Sequence, residues 1–152
     1  DMVQSRGLGD VYKRQGKIML GEKMGTMTAK VVNKVNPANN GLPSFESSTE
    51  GSGTLVGVEV QQMSTYKAEM LPSGSMYGEC PNSGVVMAKD GIATFRATGA
   101  GSFTEDGGSK FRGCCYFETT APSLMAVNGK CMAYEWDVDS EGTATWNLWE
   151  WM

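Results

Sequence analysis

Glycine-containing turn signals recur at short spacing along this chain, and they limit how long any strand or helix between them can be. They are Asn39-Asn40-Gly41, Pro72-Ser73-Gly74, Lys89-Asp90-Gly91, Glu105-Asp106-Gly107-Gly108, Asn128-Gly129 and Ser140-Glu141-Gly142. Asn-Gly and Asp-Gly pairs supply the positive φ angles that tight hairpins need. The segments between them are rich in Val, Thr, Tyr, Phe and Trp, and none shows a sustained helical period. The pattern predicts an all-β domain of antiparallel strands.

This pattern predicts about eight strands, or nine if the closing hairpin is counted as two. They cover residues 25–32, 53–62, 64–70, 75–80, 85–88, 92–98, 110–119, 130–138 and 143–151. A short helical turn is expected over 121–128, because Pro122 would stand at an early position that tolerates proline. Residues 33–52 contain Pro37 and Pro43, so this stretch is predicted to be an irregular loop that could cover a barrel mouth.

The last predicted strand carries large apolar side chains on both of its faces. Trp146 and Leu148 share one face, and Trp149 and Trp151 share the other. A sheet with one solvated face would not need this arrangement, whereas a closed barrel that packs against another subunit would. We therefore expect a homodimer or a homotrimer.

Residues 5–15, which read SRGLGDVYKRQ, resemble a common transposase library adapter when they are translated back into codons. Such processing scars lie outside the fold. We therefore expect residues 1–15 to be a non-native tail from a metagenomic source and residues 16–152 to form a single domain. That domain is long enough to bury a core, and its expected compartment is the cytoplasm.

The charge balance and the lack of histidine exclude several classes of function. The chain has 13 basic and 17 acidic residues and no histidine, with a formal net charge of −4. An acidic chain without a basic patch argues against binding to nucleic acid or to anionic membranes. The absence of histidine removes Ser–His and Cys–His nucleophilic systems and the commonest metal ligand. A metal site is therefore not expected.

The four cysteines do not form a metal-binding pattern. They are Cys80, Cys114, Cys115 and Cys131, and no two of them make a C-x-x-C pair. Cys114 and Cys115 are adjacent, so on a strand they point to opposite faces. We expect small buried thiols in a reducing compartment; the alternative is a disulfide that joins Cys80 to Cys114 or Cys131.

A glycine-rich stretch carries the one family resemblance. It runs Thr98-Gly99-Ala100-Gly101-Ser102-Phe103 and is followed by Gly107-Gly108 and Arg112-Gly113. This resembles the T-G-x-G-x-F pattern of allene oxide cyclase and dirigent barrels, in which it begins a strand pair. Glycines allow strands to coil sharply and to cross closely at a barrel corner. The segment 127–151 also resembles uncharacterised bacterial proteins of the same superfamily.

The resemblance implies a closed antiparallel eight-stranded β-barrel with a hydrophobic cavity and no cofactor. It further implies a small-molecule-binding barrel, with a cofactor-free cyclase or isomerase as the enzymatic form, acting on a small apolar or amphipathic substrate. Two alternatives remain open: a non-catalytic, lipocalin-like binding protein, and a structural barrel with a filled core.

Catalysis in such a cavity would need a proton-transfer group. The candidates are Glu79, which shares a strand face with Tyr77, Glu46, which lies in the predicted loop, and Glu118. A carboxylate in an apolar cavity has a raised pKa and can act as acid or base. The competing interpretation is that each carboxylate lies on a solvated outer face or pairs with an arginine.

Arginine and tyrosine side chains are the candidate ligand-binding groups. Arg96 or Arg112 would fix an anion if it faced inward, and either is merely solvated if it faces outward. Arg96 alternates with Phe95, so the face that Phe95 takes decides its role. Tyr66, Tyr77 and Tyr116 could line the cavity with the ring inward and the hydroxyl paired.

Overall fold

A computed structural model describes residues 20–152 of the protein; the expected adapter-derived tail, residues 1–15, lies outside the described residues. The described chain forms eight β-strands and one 3₁₀ helix, so the all-β prediction is confirmed. The elements are β1 (Leu20–Asn39), β2 (Leu42–Leu55), β3 (Val58–Met70), β4 (Met76–Ala88), β5 (Gly91–Phe103), β6 (Ser109–Thr119), the 3₁₀ helix (Pro122–Val127), β7 (Met132–Val138) and β8 (Thr143–Trp151).

The eight strands form a ring in which each strand is antiparallel to both neighbours. Consecutive strands pair in chain order, and β1 pairs with β8 from Leu20↔Trp151 to Lys30↔Thr143. Because β1 and β8 pair with each other, the first and the last strand also have a neighbour on both sides. Beyond Lys30, β1 continues with β2 alone as far as the turn at Asn40 and Gly41, so this hairpin extends past the end of β8.

The predicted irregular loop over 33–52 is wrong, because these residues complete the β1–β2 hairpin. Asn40 and Gly41 both have positive φ angles, 54° and 78°, which a tight hairpin turn requires. The inward residues in the middle of β2, from Ser47 to Gly53, are small, which hid the strand signal. A Cβ atom at Gly53, for example, would lie 2.6 Å from the Cα atom of Met27, so glycine allows the two strands to approach closely.

Two strand boundaries also differ from the prediction. The strand expected over 53–62 is interrupted by a turn at Val56 and Gly57, whose φ angles are 46° and 79°. The segments 75–80 and 85–88, expected as separate strands, form the single strand β4. Its pairing with β5 shifts between Cys80 and Gly84, and the intervening Pro81-Asn82-Ser83 forms a bulge. The hydroxyl of Ser83 donates a hydrogen bond to the Thr65 carbonyl at 2.6 Å.

Large aromatic side chains fill the interior where facing glycines leave room for them. Phe95, Phe111, Phe117, Trp136 and Trp146 are all buried. The inward glycines of the T-G-x-G stretch explain part of this packing: a Cβ atom at Gly99 would overlap the hydroxyl of Tyr134, and one at Gly101 would overlap the ring of Phe111. The close approach expected of these glycines therefore occurs between the strands and the enclosed rings.

The 3₁₀ helix packs against the β6 side of the ring, at the position where a helical turn was predicted. Leu124 and Val127 are fully buried in the same core as the strands. Ser123 donates hydrogen bonds from its backbone nitrogen and its hydroxyl to the Asp90 carboxylate, at 2.8 and 2.7 Å. Asn128 exchanges two hydrogen bonds of 2.9 Å with the backbone of Thr119. No helix within residues 20–152 is long and apolar enough to span a membrane.

Candidate functional site

Two of the candidate carboxylates belong to a row of alternating charges on the outer face. Glu46 is in register with Lys34 on one side and Lys67 on the other, and Lys67 is in register with Glu79. Side chains opposite each other in neighbouring strands lie on the same face. Glu79 is exposed and Glu46 is half-buried. This row can stabilise the sheet through cross-strand charge pairs, each of which contributes about 0.2–1 kcal/mol.

The third carboxylate and the two arginines also lie on the outer face. Glu118 is exposed. Phe95 is buried, and Arg96 beside it is therefore solvated. Arg112 is exposed and makes a 2.7 Å ion pair with Asp137 across the β6–β7 pair. Neither arginine reaches the interior, so an anion held there would lack both of them as partners.

The three candidate tyrosines separate into one interior and two exterior residues. Tyr77 and Tyr116 are 39% and 45% exposed on the outer face. Tyr66 points inward, packs edge-on against Trp136 at 5.9 Å between ring centroids, and accepts a 3.2 Å hydrogen bond from the Trp136 indole nitrogen. Burial raises the pKa of the Tyr66 phenol, and hydrogen bonds with Trp136 and Ser47 offset part of that rise. Tyr66 is thus the one candidate ligand-binding residue placed in the interior.

The interior holds a cavity of about 50 Å³ around Tyr66. Aromatic rings and small side chains form most of its wall, and two uncharged polar side chains complete it. The lining residues are Gln62, Ser64, Tyr66, Gly78, Glu79, Cys80, Phe95, Ala97, Phe111, Tyr134, Trp136 and Trp146. Glu79 is the one charged residue among them, and it is exposed on the outer face. The cavity is therefore apolar, with a localised polar wall.

The polar wall of the cavity is a small hydrogen-bonded cluster on β2 and β3. Thr49 Oγ1 lies 3.0 Å from Gln62 Nε2, 3.2 Å from Gln62 Oε1 and 2.5 Å from Ser64 Oγ. Gln62 is 1% exposed. Its Nε2 can donate to Thr49, and the single Thr49 hydroxyl proton can go to Ser64 or to Gln62 Oε1. Thr49 thus fixes the position of the Gln62 amide.

Our reading of the sequence missed Gln62, although one signal for it was present. Residues 58–63 alternate between the two faces, which places Gln62 with Val58 and Val60 on the inward side. Tyr134 was missed as well; its hydroxyl donates a 3.2 Å hydrogen bond to the Thr98 carbonyl, and burial raises its pKa.

The cysteines do not form a metal site or a disulfide in this structure. All four are free. Cys80 and Cys115 are buried on the inner face, whereas Cys114 lies on the outer face with Cys131 beside it. The sheet therefore separates Cys80 from both of the partners suggested for it, Cys114 and Cys131. Burial raises the pKa of the Cys115 thiol well above its usual value. Within residues 20–152, no group of three or more acidic or cysteine side chains is placed to hold a metal ion.

Known structures share this fold, although the sequence matches no family model and no curated protein. One is a conserved protein of unknown function, RPA1785, from Rhodopseudomonas palustris, with 12% identity and a TM-score of 0.72; the match covers 86% of this chain and 97% of that one. Another is a protein of unknown function from Clostridium acetobutylicum, with 11% identity, a TM-score of 0.69, and coverage of 85% and 97%. At this identity the likeness shows that these proteins share an all-β fold of eight antiparallel strands. It carries no information about function.

Proposed function

We propose that this chain is a small-molecule-binding protein: a closed β-barrel of the allene oxide cyclase type that holds an apolar or amphipathic ligand in its interior. The composition of the cavity wall supports this proposal. Six aromatic side chains surround the space, and Gln62 and Ser64 supply polar groups at one side. Binding sites for small molecules commonly combine an apolar wall with a few placed polar groups.

The size of the cavity limits what it can hold. Its volume of about 50 Å³ is well below the roughly 300–1,000 Å³ of sites for drug-sized ligands. A water molecule needs at least about 10–15 Å³ measured in this way. The ligand is therefore either very small, or one end of a longer molecule that displaces the surrounding rings.

A cofactor-free cyclase or isomerase is the second candidate, and the position of Tyr66 favours it. An ordinary tyrosine phenol is already protonated at neutral pH, and burial raises the pKa of Tyr66 further. Its hydroxyl can therefore donate a hydrogen bond to a developing oxyanion. Glu46, Glu79 and Glu118 remain predictions as proton-transfer groups; their outer-face positions would require a substrate that reaches that face. Conversion of a bound compound into a product would favour this candidate.

The expected homodimer or homotrimer also remains a proposal. Outward-facing aromatic residues at the end of β8 support it: Trp151 is 49% exposed, and Trp149 lies 5.8 Å from the Lys23 ammonium on the outer face. Trp136 and Trp146 are buried in the core and contribute nothing to such an interface. Native mass spectrometry counts the subunits directly.

The experiment that tests ligand binding is mass spectrometry of the purified protein under native and then denaturing conditions. A small molecule that adds mass in the native spectrum and is lost on denaturation would support the proposal. Ala97→Leu is expected to abolish this added mass, because Ala97 lines the cavity. Ala100→Leu, on the exposed face of the same strand, is the matched control and should retain it. Equal retention by both variants would place the ligand outside the cavity and contradict the proposal.

A further inference from the structure

The side-chain amide of Gln62 can form more hydrogen bonds than the surrounding protein groups make with it. A glutamine amide has two N–H donors and an oxygen with two lone pairs. Within residues 20–152, Thr49 Oγ1 is the hydrogen-bond partner of this amide. Burial of an amide group without full hydrogen bonding is costly, so buried amides are normally paired with protein or with water. Gln62 is 1% exposed and borders the cavity, where the missing partner would have to lie.

The rest of the cavity wall specifies what kind of partner can fill this role. Phe95, Phe111 and Trp146 present apolar rings to the space. Among the described residues, no lysine or arginine lines it, and Arg96 and Arg112 are both exposed on the outer face. A carboxylate or phosphate buried there would lack a counter-charge, and so would a cation, because Glu79 is exposed on the outer face. Burying an unpaired ion is far more costly than burying a neutral polar group.

We propose that the ligand is an uncharged molecule with a carbonyl, amide or hydroxyl group, and that the Gln62 amide binds this group while the aromatic rings contact the apolar remainder. This inference rests on the proposed function and adds the ligand class and the residue that selects it. Thr49 acts as a positioning residue, because its hydroxyl contacts both polar atoms of the Gln62 amide.

Three small probes of matched shape test the selection. Acetamide, 2-methylpropene and acetate are planar and have equal numbers of non-hydrogen atoms, but they carry an amide, no polar group and a negative charge, respectively. Each is titrated into isotopically labelled full-length protein. Binding is followed through the side-chain amide signals of Gln62 and the indole N–H signals of Trp136 and Trp146, all of which belong to cavity residues.

Gln62→Met removes the hydrogen-bonding groups and keeps a similar side-chain volume. A hydrogen bond between neutral groups contributes enough that the affinity for acetamide should fall by about two- to tenfold, while the affinity for 2-methylpropene should not fall. Gln61→Met is the matched control, because Gln61 is the exposed neighbour on the same strand; it should change neither affinity. Acetate should bind wild-type protein at least about tenfold more weakly than acetamide does.

The outcomes separate the two levels of the proposal. If 2-methylpropene binds in the cavity but Gln62→Met weakens both neutral probes equally, or neither, the cavity is a binding site and Gln62 does not select the ligand. If acetate binds as tightly as acetamide, the uncharged class is wrong. If no probe shifts any cavity signal, the proposed binding function itself fails. Should Gln62→Met not fold, larger shifts of the wild-type Gln62 signals with acetamide than with 2-methylpropene support the inference, and equal shifts overturn it.

Discussion

The ring of Phe95 occupies the space that a side chain at Gly84 would need. Gly84 follows the Pro81-Asn82-Ser83 bulge and pairs with Phe95 itself across the β4–β5 ladder. Gly84 does not have a positive φ angle. Glycine is therefore required here because a side chain would lack space, and not because the backbone is strained. The bulge and the aromatic core are therefore linked at this one residue pair.

We predict that Gly84→Ala lowers the free energy of unfolding by about 1–3 kcal/mol, because an added methyl group must displace a buried ring. Urea unfolding measures the change. The companion variant is Gly84→Ala combined with Phe95→Leu, in which the smaller side chain relieves the overlap. The double variant should lose less than the sum of the two single losses. Strict additivity would show that the ring is not what requires glycine at this position.

The hydrogen bond between Tyr66 and Trp136 gives a second prediction. Tyr66→Phe leaves the buried Trp136 indole N–H without its 3.2 Å acceptor, and an unsatisfied buried donor costs about 1–3 kcal/mol. Tyr116→Phe is the matched control, because Tyr116 is exposed and should change stability by less than about 0.5 kcal/mol. Equal effects of the two substitutions in urea unfolding would contradict the assignment.

The fold class could be predicted from the sequence because turn chemistry and strand alternation are local properties. The Asp90-Gly91 turn and the alternation of β8 both identify strands without any knowledge of their partners. The path of β2 could not be predicted in this way. Its inward residues include Ser47, Thr49 and Gly53, which fit only because β1 passes close beside them. That proximity is a tertiary property which no local pattern carries.

The candidate site was harder to predict than the fold, because the side of the sheet on which a charged residue lies depends on register. Glu79 and Arg96 were considered as interior groups, but each is exposed on the outer face. Glutamine in a strand is usually solvated, and the neighbouring Gln61 is exposed, so residue type alone does not mark Gln62 as an interior group. Its inward position follows instead from its alternation with Val58 and Val60 along β3.

Thiol reactivity should distinguish the two faces of the sheet. Cys114 and Cys131 are half-buried, whereas Cys80 and Cys115 are buried. Burial raises the pKa of the Cys80 thiol, of the Cys114 thiol and, most strongly, of the Cys115 thiol, which lowers the fraction present as the reactive thiolate. Access of the reagent is therefore the main difference between Cys114 and the two buried thiols. We predict that iodoacetamide modifies Cys114 or Cys131 first in the folded protein, and modifies Cys80 and Cys115 only after urea is added. Peptide mass mapping identifies the sites, and early labelling of Cys115 would contradict its interior position.

The dependence of stability on pH should be flat near neutrality and should fall in alkali. No histidine is present, so no side chain with an ordinary pKa between about 5 and 8 titrates. Burial raises the folded-state pKa values of Cys115 above 9.0 and of Tyr134 above 10.0. The folded protein therefore holds these protons more tightly than the unfolded chain does. Their contribution to stability is complete below the unfolded values and is lost as the pH rises through the folded ones.

Urea midpoints measured at intervals from about pH 6 to about pH 10 test this prediction. We expect constant midpoints up to about pH 8 and a steady decrease above that, because unfolded thiols begin to ionise there. Cys115→Ala removes the most strongly shifted thiol and should make the alkaline decrease shallower. A midpoint that stays constant to pH 10 would mean that the Cys115 thiol ionises as readily in the folded protein as in the unfolded chain, which its burial should prevent.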